Sequence, residues 1–444
     1  MSSKNYLSKA NAFLVVLLML LTFGSTKIQA STADYILNSI DFISSDGGRV
    51  EWSHDGNWIY YDHREVDGFF DVYRMEPDGT NSECLTCDHV DLPNQNQGQP
   101  AESPDGNYIV FQAEDPTHPY PSLHNPAEPG GGVWNNLWVM DLRDDNVYQL
   151  TTVYIGASYT SGSLHPHFSH DGTKIAWGDR EGASTEVLGN WRLAVADFVE
   201  TPTPHLANTV YYDPGDNTNH WLEMSSWSLD DSEIYISCSC TTGQDDSTMD
   251  VVKVNLGSSA WTRITTTSGV GSEDAEWDEF GHVNPVYGDV IMRMSSIPYG
   301  TTDGSPDFAT MIGWLKTEFW LTDLDGSNPV RLSYFNDSGS PDYIAGGVIA
   351  SDLSWDPTGT KAVGFVWVKA TDPTEHIAIL DFTRVSPTAT PTPTSTPTPT
   401  SAPGSTPTPT PSVSLEPTTT PVPSASPSST PTPTPTTSSN PHVP

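Results

Sequence analysis

Six times between Arg49 and Lys361 the chain repeats one phrase: a large apolar residue, a tight turn, then a short apolar strand. It reads Glu51-Trp52-Ser53-His54-Asp55-Gly56, then Glu102-Ser103-Pro104-Asp105-Gly106, then His167-Phe168-Ser169-His170-Asp171-Gly172. It returns as Ser226-Trp227-Ser228-Leu229-Asp230-Asp231, Glu276-Trp277-Asp278-Glu279-Phe280-Gly281 and Ser354-Trp355-Asp356-Pro357-Thr358-Gly359. Glu102 is the exception to the apolar position. Self-similarity at an interval of tens of residues restricts a chain to stacked or radial repeats, because one unit cannot bury its own faces.

The first unit holds four strands. Val50-Glu51-Trp52 and Trp58-Ile59-Tyr60-Tyr61 flank the first turn. Asp71–Met75 alternates polar and apolar, and Ser82–Thr86 follows a second turn at Glu76–Gly79. Such runs of aromatic and β-branched residues between turn residues read as antiparallel strands. Four of them make a blade, so the fold class is all-β, a six-bladed β-propeller of four-stranded antiparallel blades. Tyr35–Ile43 also alternates. It is expected to form the outer strand of the last blade, because Thr383-Arg384-Val385 leaves that blade short.

The two ends stand apart. Lys4 and Lys9 precede an uncharged apolar run, Ala12–Phe23, with Ala30 at a small-residue cleavage point. Residues 1–30 therefore read as a secretory signal. The run is too short for a span, which needs about 20 apolar residues. From Ser386 to Pro444 the chain is Pro, Thr and Ser with little else, which supports no core and reads as a disordered stalk or linker. The folded region is 31–385. With 18 Lys and Arg against 56 Asp and Glu, net charge −38, the surface is unsuited to nucleic acid, which needs a basic footprint. An exported, monomeric protein without a membrane span is expected.

Asp323-Leu324-Asp325-Gly326-Ser327-Asn328-Pro329-Val330-Arg331-Leu332 resembles the strand-turn-strand phrase of TolB-like six-bladed propellers. Ser103-Pro104-Asp105-Gly106 resembles their inner turn, and Glu76-Pro77-Asp78-Gly79 with Leu85-Thr86 matches again. The resemblance spans about Arg49 to Arg384. It implies the fold, and it implies a function among partner-binding proteins, peptidase-attached propellers and lyases with histidines near the axis. Leu229-Asp230-Asp231 and Glu279-Phe280-Gly281 depart from the turn pattern, so those two blades are placed by spacing.

Long insertions fall between second and third strands: Asp115–Val133, Arg180–Asn190, Thr241–Asp250 and Ser295–Thr317. Blade topology gathers these, and the blade crossings, on the face where each inner strand begins. Loops on a rigid scaffold carry function, so a ligand site is expected there. The residues opening the inner strands are Arg49, Gln99, His165, Met224 with Glu223 beside it, Asp274 and Asp352. His165 and His167, two apart on one strand face, could join Gln99 in holding a divalent cation through N and O ligands. No other cofactor is expected. Trp221 is the aromatic residue expected nearest this mouth, and His118, His124 and His220 lie in loops within reach. Trp52, Trp227, Trp277 and Trp355 are read as inter-blade core.

Cys84 and Cys87 are spaced for a local disulfide, whereas Cys238 and Cys240 lie in an extended run and are poorly placed to pair. No Gly-x-Ser-x-Gly elbow occurs, which removes the peptidase reading. The sequence thus points to a secreted or cell-surface module presenting its loop-rich face to a protein or glycan. The alternative is a metal-dependent polysaccharide lyase-like enzyme working at the pore mouth.

Overall fold

The structure is a computed structural model. It describes residues 31–385, apart from 119–125, 156–160, 183–188, 215–219, 242–243, 245–247, 267–275, 301–312, 314 and 371–372. After a 3-10 turn at Thr32–Asp34, strand β1 (Tyr35–Ser44) leads into the first blade: β2 (Gly48–Trp52), β3 (Ile59–Arg64), β4 (Phe70–Met75) and β5 (Glu83–Cys84). The second comprises β6 (Gln97–Glu102), β7 (Tyr108–Glu114), β8 (Asn135–Asp141) and β9 (Asn146–Gln149). The third has β10 (Gly162–Phe168), β11 (Lys174–Arg180), β12 (Trp191–Val199) and β13 (His205–Tyr212). The fourth has β14 (Leu222–Trp227), β15 (Glu233–Cys238), β16 (Asp250–Asn255) and β17 (Ala260–Arg263). Strands β18 (Asp278–Val283), β19 (Val290–Ser295), β20 (Glu318–Asp323) and β21 (Val330–Arg331) form the fifth. The sixth contains β22 (Val348–Trp355), β23 (Lys361–Val368) and β24 (Thr374–Arg384), and β1 completes it by pairing antiparallel with β24. Six sheets of four strands and the closing role of β1 are as the sequence leads one to expect. None of the described helices is long and apolar enough to cross a membrane.

The repeated phrase has a mechanical basis. Ser53 Oγ accepts the Trp58 N–H at 2.9 Å and donates to Asp55, which in turn accepts the Asn57 N–H. Ser103 with Asp105, Ser169 with Asp171 and Ser228 with Asp230 repeat the arrangement. The fourth turn is therefore intact, with Asp231 at φ 54° where other blades place glycine. A side chain that caps its own turn fixes the hairpin locally.

The fifth blade corrects the sequence alignment. Its inner strand is β18, and the turn that follows begins at Asn284, whose N–H bonds Val290 O at 3.0 Å and whose Oδ1 accepts from Val286 and Tyr287. Val283, not Trp277, stands where Trp52 does. Trp277 is buried, but before the strand: its N–H bonds Ser296 Oγ, as that of Trp221 bonds Ser239 Oγ. Degraded turn chemistry and an eye-catching Trp together shifted the alignment by six residues.

All six inner strands carry a register shift near their start. Five residues there have positive φ: Arg49 39°, Gln99 52°, His165 48°, Phe280 55° and Asp352 34°. A bulge leaves an amide outside the ladder. That of Gln99 goes to Asp62 Oδ2 at 3.1 Å, that of His165 to Gln99 Oε1 at 3.0 Å and that of Phe280 to Ser237 Oγ at 2.9 Å, each on the preceding blade.

Both cysteine pairs are disulfides. Cys84–Cys87 is as expected. Cys238–Cys240 is not, and the reason is that Cys238 is the last residue of β15, so the chain has left extended geometry by Cys240; the Cα atoms are 5.2 Å apart.

Ring closure is guarded at Gly79, where φ is +82° and an added Cβ would lie 2.1 Å from Ile43 O on β1. Gly68, at φ +97°, has nothing within 4 Å of that position. Gly68→Ala should cost about 1 kcal/mol from backbone strain alone. Gly79→Ala should cost about 3 kcal/mol, because overpacking against backbone is added. Urea denaturation of the two variants checks the difference; equal losses would mean that the Gly79–β1 contact contributes nothing.

Candidate functional site

The inner strands enclose an axial channel with two chambers. The upper one is lined by Arg49, Gln99, His165, Met224, Phe280 and Asp352, with Glu51, His167 and His282 deeper down. The lower and roomier one opens among the Asp-Gly turns and is lined by Trp52, His54, Glu102, His170, Trp227 and Trp355 among others. The bulge places the upper residues. Arg49, Gln99, His165, Phe280 and Asp352 stand at its centre with positive φ and line the mouth; Met224 lines it without one.

The mouth is acidic, and its side chains are largely buried. His165 Nδ1 lies 3.6 Å from Glu223 Oε2, and its Nε2 lies 3.8 Å from Asp352 Oδ1. Its ring leans on Phe280, centroids 5.3 Å apart. Arg49 pairs with Asp62 at 3.2 Å. Burial pushes the Glu223 carboxyl well above its ordinary range, and the neighbouring Glu279 and Asp352 add to this. Burial likewise raises Glu279 to about 8 and Asp352 to about 7, the latter despite the pull of Arg49. His165 is driven down by burial and then by His167, Arg49 and His282. Gln99 Nε2, His165 Nε2 and Glu223 Oε2 are all buried without a hydrogen-bond partner. Such unspent capacity in a native site calls for an explanation.

The structure brings Arg49, Gln99, His165, Met224, Glu223 and Asp352 together around the mouth. Asp274 lies outside the described residues, and the register of β18 gives its place to Phe280. Trp221 is 4% exposed and packs on Trp191 at 5.2 Å, so it serves the core rather than the mouth. His118 pairs with Glu114 at 2.5 Å and stacks on Trp134, while His220 reaches Trp191 O; both pin insertions onto blades. His124 lies outside the described residues. His165 and His167 both face the channel, but at different depths. Gln99 Oε1 is spent on the His165 amide, which leaves a donor nitrogen rather than a metal ligand toward the channel.

Three channel residues went unread in the sequence: Glu51, Phe280 and His282. A signal existed. Phe280-Gly281-His282-Val283-Asn284-Pro285 matches His165-Pro166-His167-Phe168-Ser169-His170 once the turn is placed at Asn284.

The raised carboxyls set a pH dependence. They bind protons in the folded state that the unfolded chain has released, so their contribution is complete below about pH 4 and fades as pH rises through about 7 to 8. The depressed His165 acts oppositely: its contribution is present above its ordinary 6.5 and lost as pH falls. Between pH 6.5 and 8 the slope comes from the carboxyls; above about 8 Lys369, lowered by burial to about 8, opposes it. In chelator-treated protein Tm should fall between pH 6.5 and 8, and Glu279→Gln should flatten that fall; calorimetry showing a flat wild-type profile would contradict it.

No protein-family model matches the chain, and no curated protein sequence does. Solved structures do. TolB from Acinetobacter baumannii is similar over 76% of this chain and 63% of its own, at 12% identity and TM-score 0.42. A TolB from Agrobacterium tumefaciens matches 66% of this chain and 87% of its own at 18% identity, TM-score 0.39. A puromycin-hydrolysing peptidase of Mycobacterium tuberculosis matches 75% and 54% at 12% identity, TM-score 0.40. This chain thus spans less than two thirds of the first and about half of the third. On its own blades and turns, the chain is a six-bladed β-propeller, TolB-like in its repeated phrase.

Proposed function

We propose that the chain is an extracytoplasmic binding module that takes a cationic group of a protein or glycan ligand into the upper mouth of its channel, without catalysis. Two disulfides are compatible with an oxidising compartment. The observation that carries the reading is the ring of buried polar groups at the mouth with unspent hydrogen-bonding capacity. Three carboxyls with raised affinity for protons crowd there against one arginine that Asp62 already holds. A lysine or arginine side chain entering the mouth would ionise those carboxyls and pair with them, a charge-assisted contact of the strong kind. A protein segment bearing such a residue is the best fit. The lyase alternative fits less well, since a polyuronate needs cations in the mouth and Arg49, the one among the described lining residues, is paired with Asp62.

A peptide array and a glycan array probed with the full chain test this. Binding should concentrate on Lys- and Arg-bearing peptides, weaken with salt and fall about tenfold or more in Asp352→Asn. Retention of neutral or acidic glycans instead, or binding indifferent to Asp352, would overturn it. So would formation of unsaturated products from a polyuronate.

A further inference from the structure

Blade three differs from the others at its outer edge. Its last strand, β13, has 8 residues, whereas β5, β9, β17 and β21 have 2 to 4. Among the described residues no strand pairs with its outer side. It carries no Asp, Glu, Lys or Arg, in a chain of net charge −38. Val210 is 50% exposed and Tyr211 47%, and His205, Asn208 and Thr209 are exposed beside them. The other long edge, β1, carries Asp41 and two register shifts. A bare edge invites another strand through its unpaired amides and carbonyls, and soluble proteins blunt it with charge or proline. β13 has neither along its length.

What β13 does have is a bulge. Val195 pairs with Val210 and Asp197 with Ala207, so Asn208 and Thr209 together oppose Ala196. Asn208 sits at φ 52°, its side-chain amide donating to Asp197 Oδ2 at 2.8 Å. The extra residue changes which side chains share a face. Leu206 and Tyr211 stand opposite Phe198 and Ala194, hence on one face; His205, Ala207, Val210 and Tyr212 lie on the other. In a regular strand Leu206 and Tyr211 would point to opposite faces. A regular strand of this length therefore cannot pair end to end with its own copy. This one can. An antiparallel copy centred between Asn208 and Thr209 sets Leu206 against Tyr211, Ala207 against Val210 and His205 against Tyr212, each pair on one face. Apolar meets apolar, and at the centre amide meets hydroxyl. Tyr211 is already held by the Arg192 guanidinium, 3.6 Å over its ring, and that arginine is matched by Asp179 and Glu181.

We propose that β13 is a self-association edge: two copies join blade three to blade three about a two-fold axis, extending two four-stranded sheets into one. A two-fold interface uses the same patch on both partners, and this register supplies it. Charge favours the same place. Two chains this acidic repel wherever they meet, and least along a segment without carboxylates. Eight residues a side is short of the 20–30 of a standard interface. The dimer is accordingly weak, and salt strengthens it by screening the acidic surfaces. It departs from the monomer that the sequence alone leads one to expect. β13 is the strand of its blade farthest from β10, which carries His165, so pairing there leaves the mouth uncovered.

Sedimentation velocity of the full chain over a concentration series should show a monomer–dimer equilibrium that tightens with salt. Hydrogen exchange at dimeric concentration should slow in β13 and not in β5, β9, β17 or β21. Thr209→Asp sets carboxylates against each other across the axis and should weaken association about tenfold or more. All four cysteines are in disulfides, so Thr209→Cys adds a lone thiol. Oxidation should cross-link it much faster than Thr262→Cys on the short edge β17. A chain that stays monomeric at every concentration, leaving the edge to a foreign strand, overturns the proposal. So does a dimer whose β13 amides exchange as they do in the monomer. Both outcomes are read on wild-type protein, so neither depends on a variant folding.

Discussion

A β-bulge in an inner strand leaves one amide with no ladder partner, and most of what distinguishes this propeller follows from where that amide goes. In the second, third and fifth blades it crosses to the preceding blade and finds Asp62, Gln99 or Ser237. A buried amide left unpaired costs about as much as a lost hydrogen bond, so these acceptors have to be present and polar. The propeller is therefore obliged to keep hydrogen-bonding side chains around its axis. The same bulge holds its central residue at positive φ and turns that side chain into the mouth. The ties between blades and the lining of the channel are two outcomes of one distortion.

At the other end of the inner strands the blades work in pairs. Trp227 and Trp355 reach back to His167 and His282, while Glu102 takes the His54 amide at 2.8 Å and the Tyr60 hydroxyl at 2.7 Å. Glu102, which breaks the apolar rule of the repeat, is thus an even-blade anchor of a different chemistry rather than a defect. Sixfold architecture with threefold decoration lets Glu51, His167 and His282 line the channel without clashing, since Ala101, Ser226 and Ser354 hold the same position in the blades between.

The blade count, the closing strand and the first three turns were legible because they rest on local chemistry: Ser53, Ser103 and Ser169 each cap a turn with the Asp two residues on. The fourth blade was placed by spacing, though Ser228 and Asp230 make the same cap. The turn of the fifth blade was not legible, because Asn284 does the capping there with a longer turn, and Trp277 mimicked the phrase upstream. That slip hid His282, which lines the channel. Trp221, expected at the mouth, is buried against Trp191 just before β14, and nothing in the sequence marks a bulge when its central residue is Arg, Gln, His or Phe instead of glycine. The Cys238–Cys240 pairing turned on where β15 stops, a boundary of one residue.

The channel is expensive as it stands. Glu51, Glu279 and Asp352 hold their protons to about pH 7 or 8 because burial opposes their charge, and His165, His167 and His282 are kept neutral by the same burial. Apolar residues of similar volume would be at least as stable there. A fold that needs polar acceptors only for its bulge amides could satisfy them with serine, as the fourth blade does with Ser237. These titratable groups, with Glu223 beside them, exceed that structural need. The carboxyls share one property: each would ionise and be stabilised beside an incoming positive charge, whereas burial opposes charge on the imidazoles. Under the proposed function, a positive group of a ligand at the mouth is what those carboxyls receive.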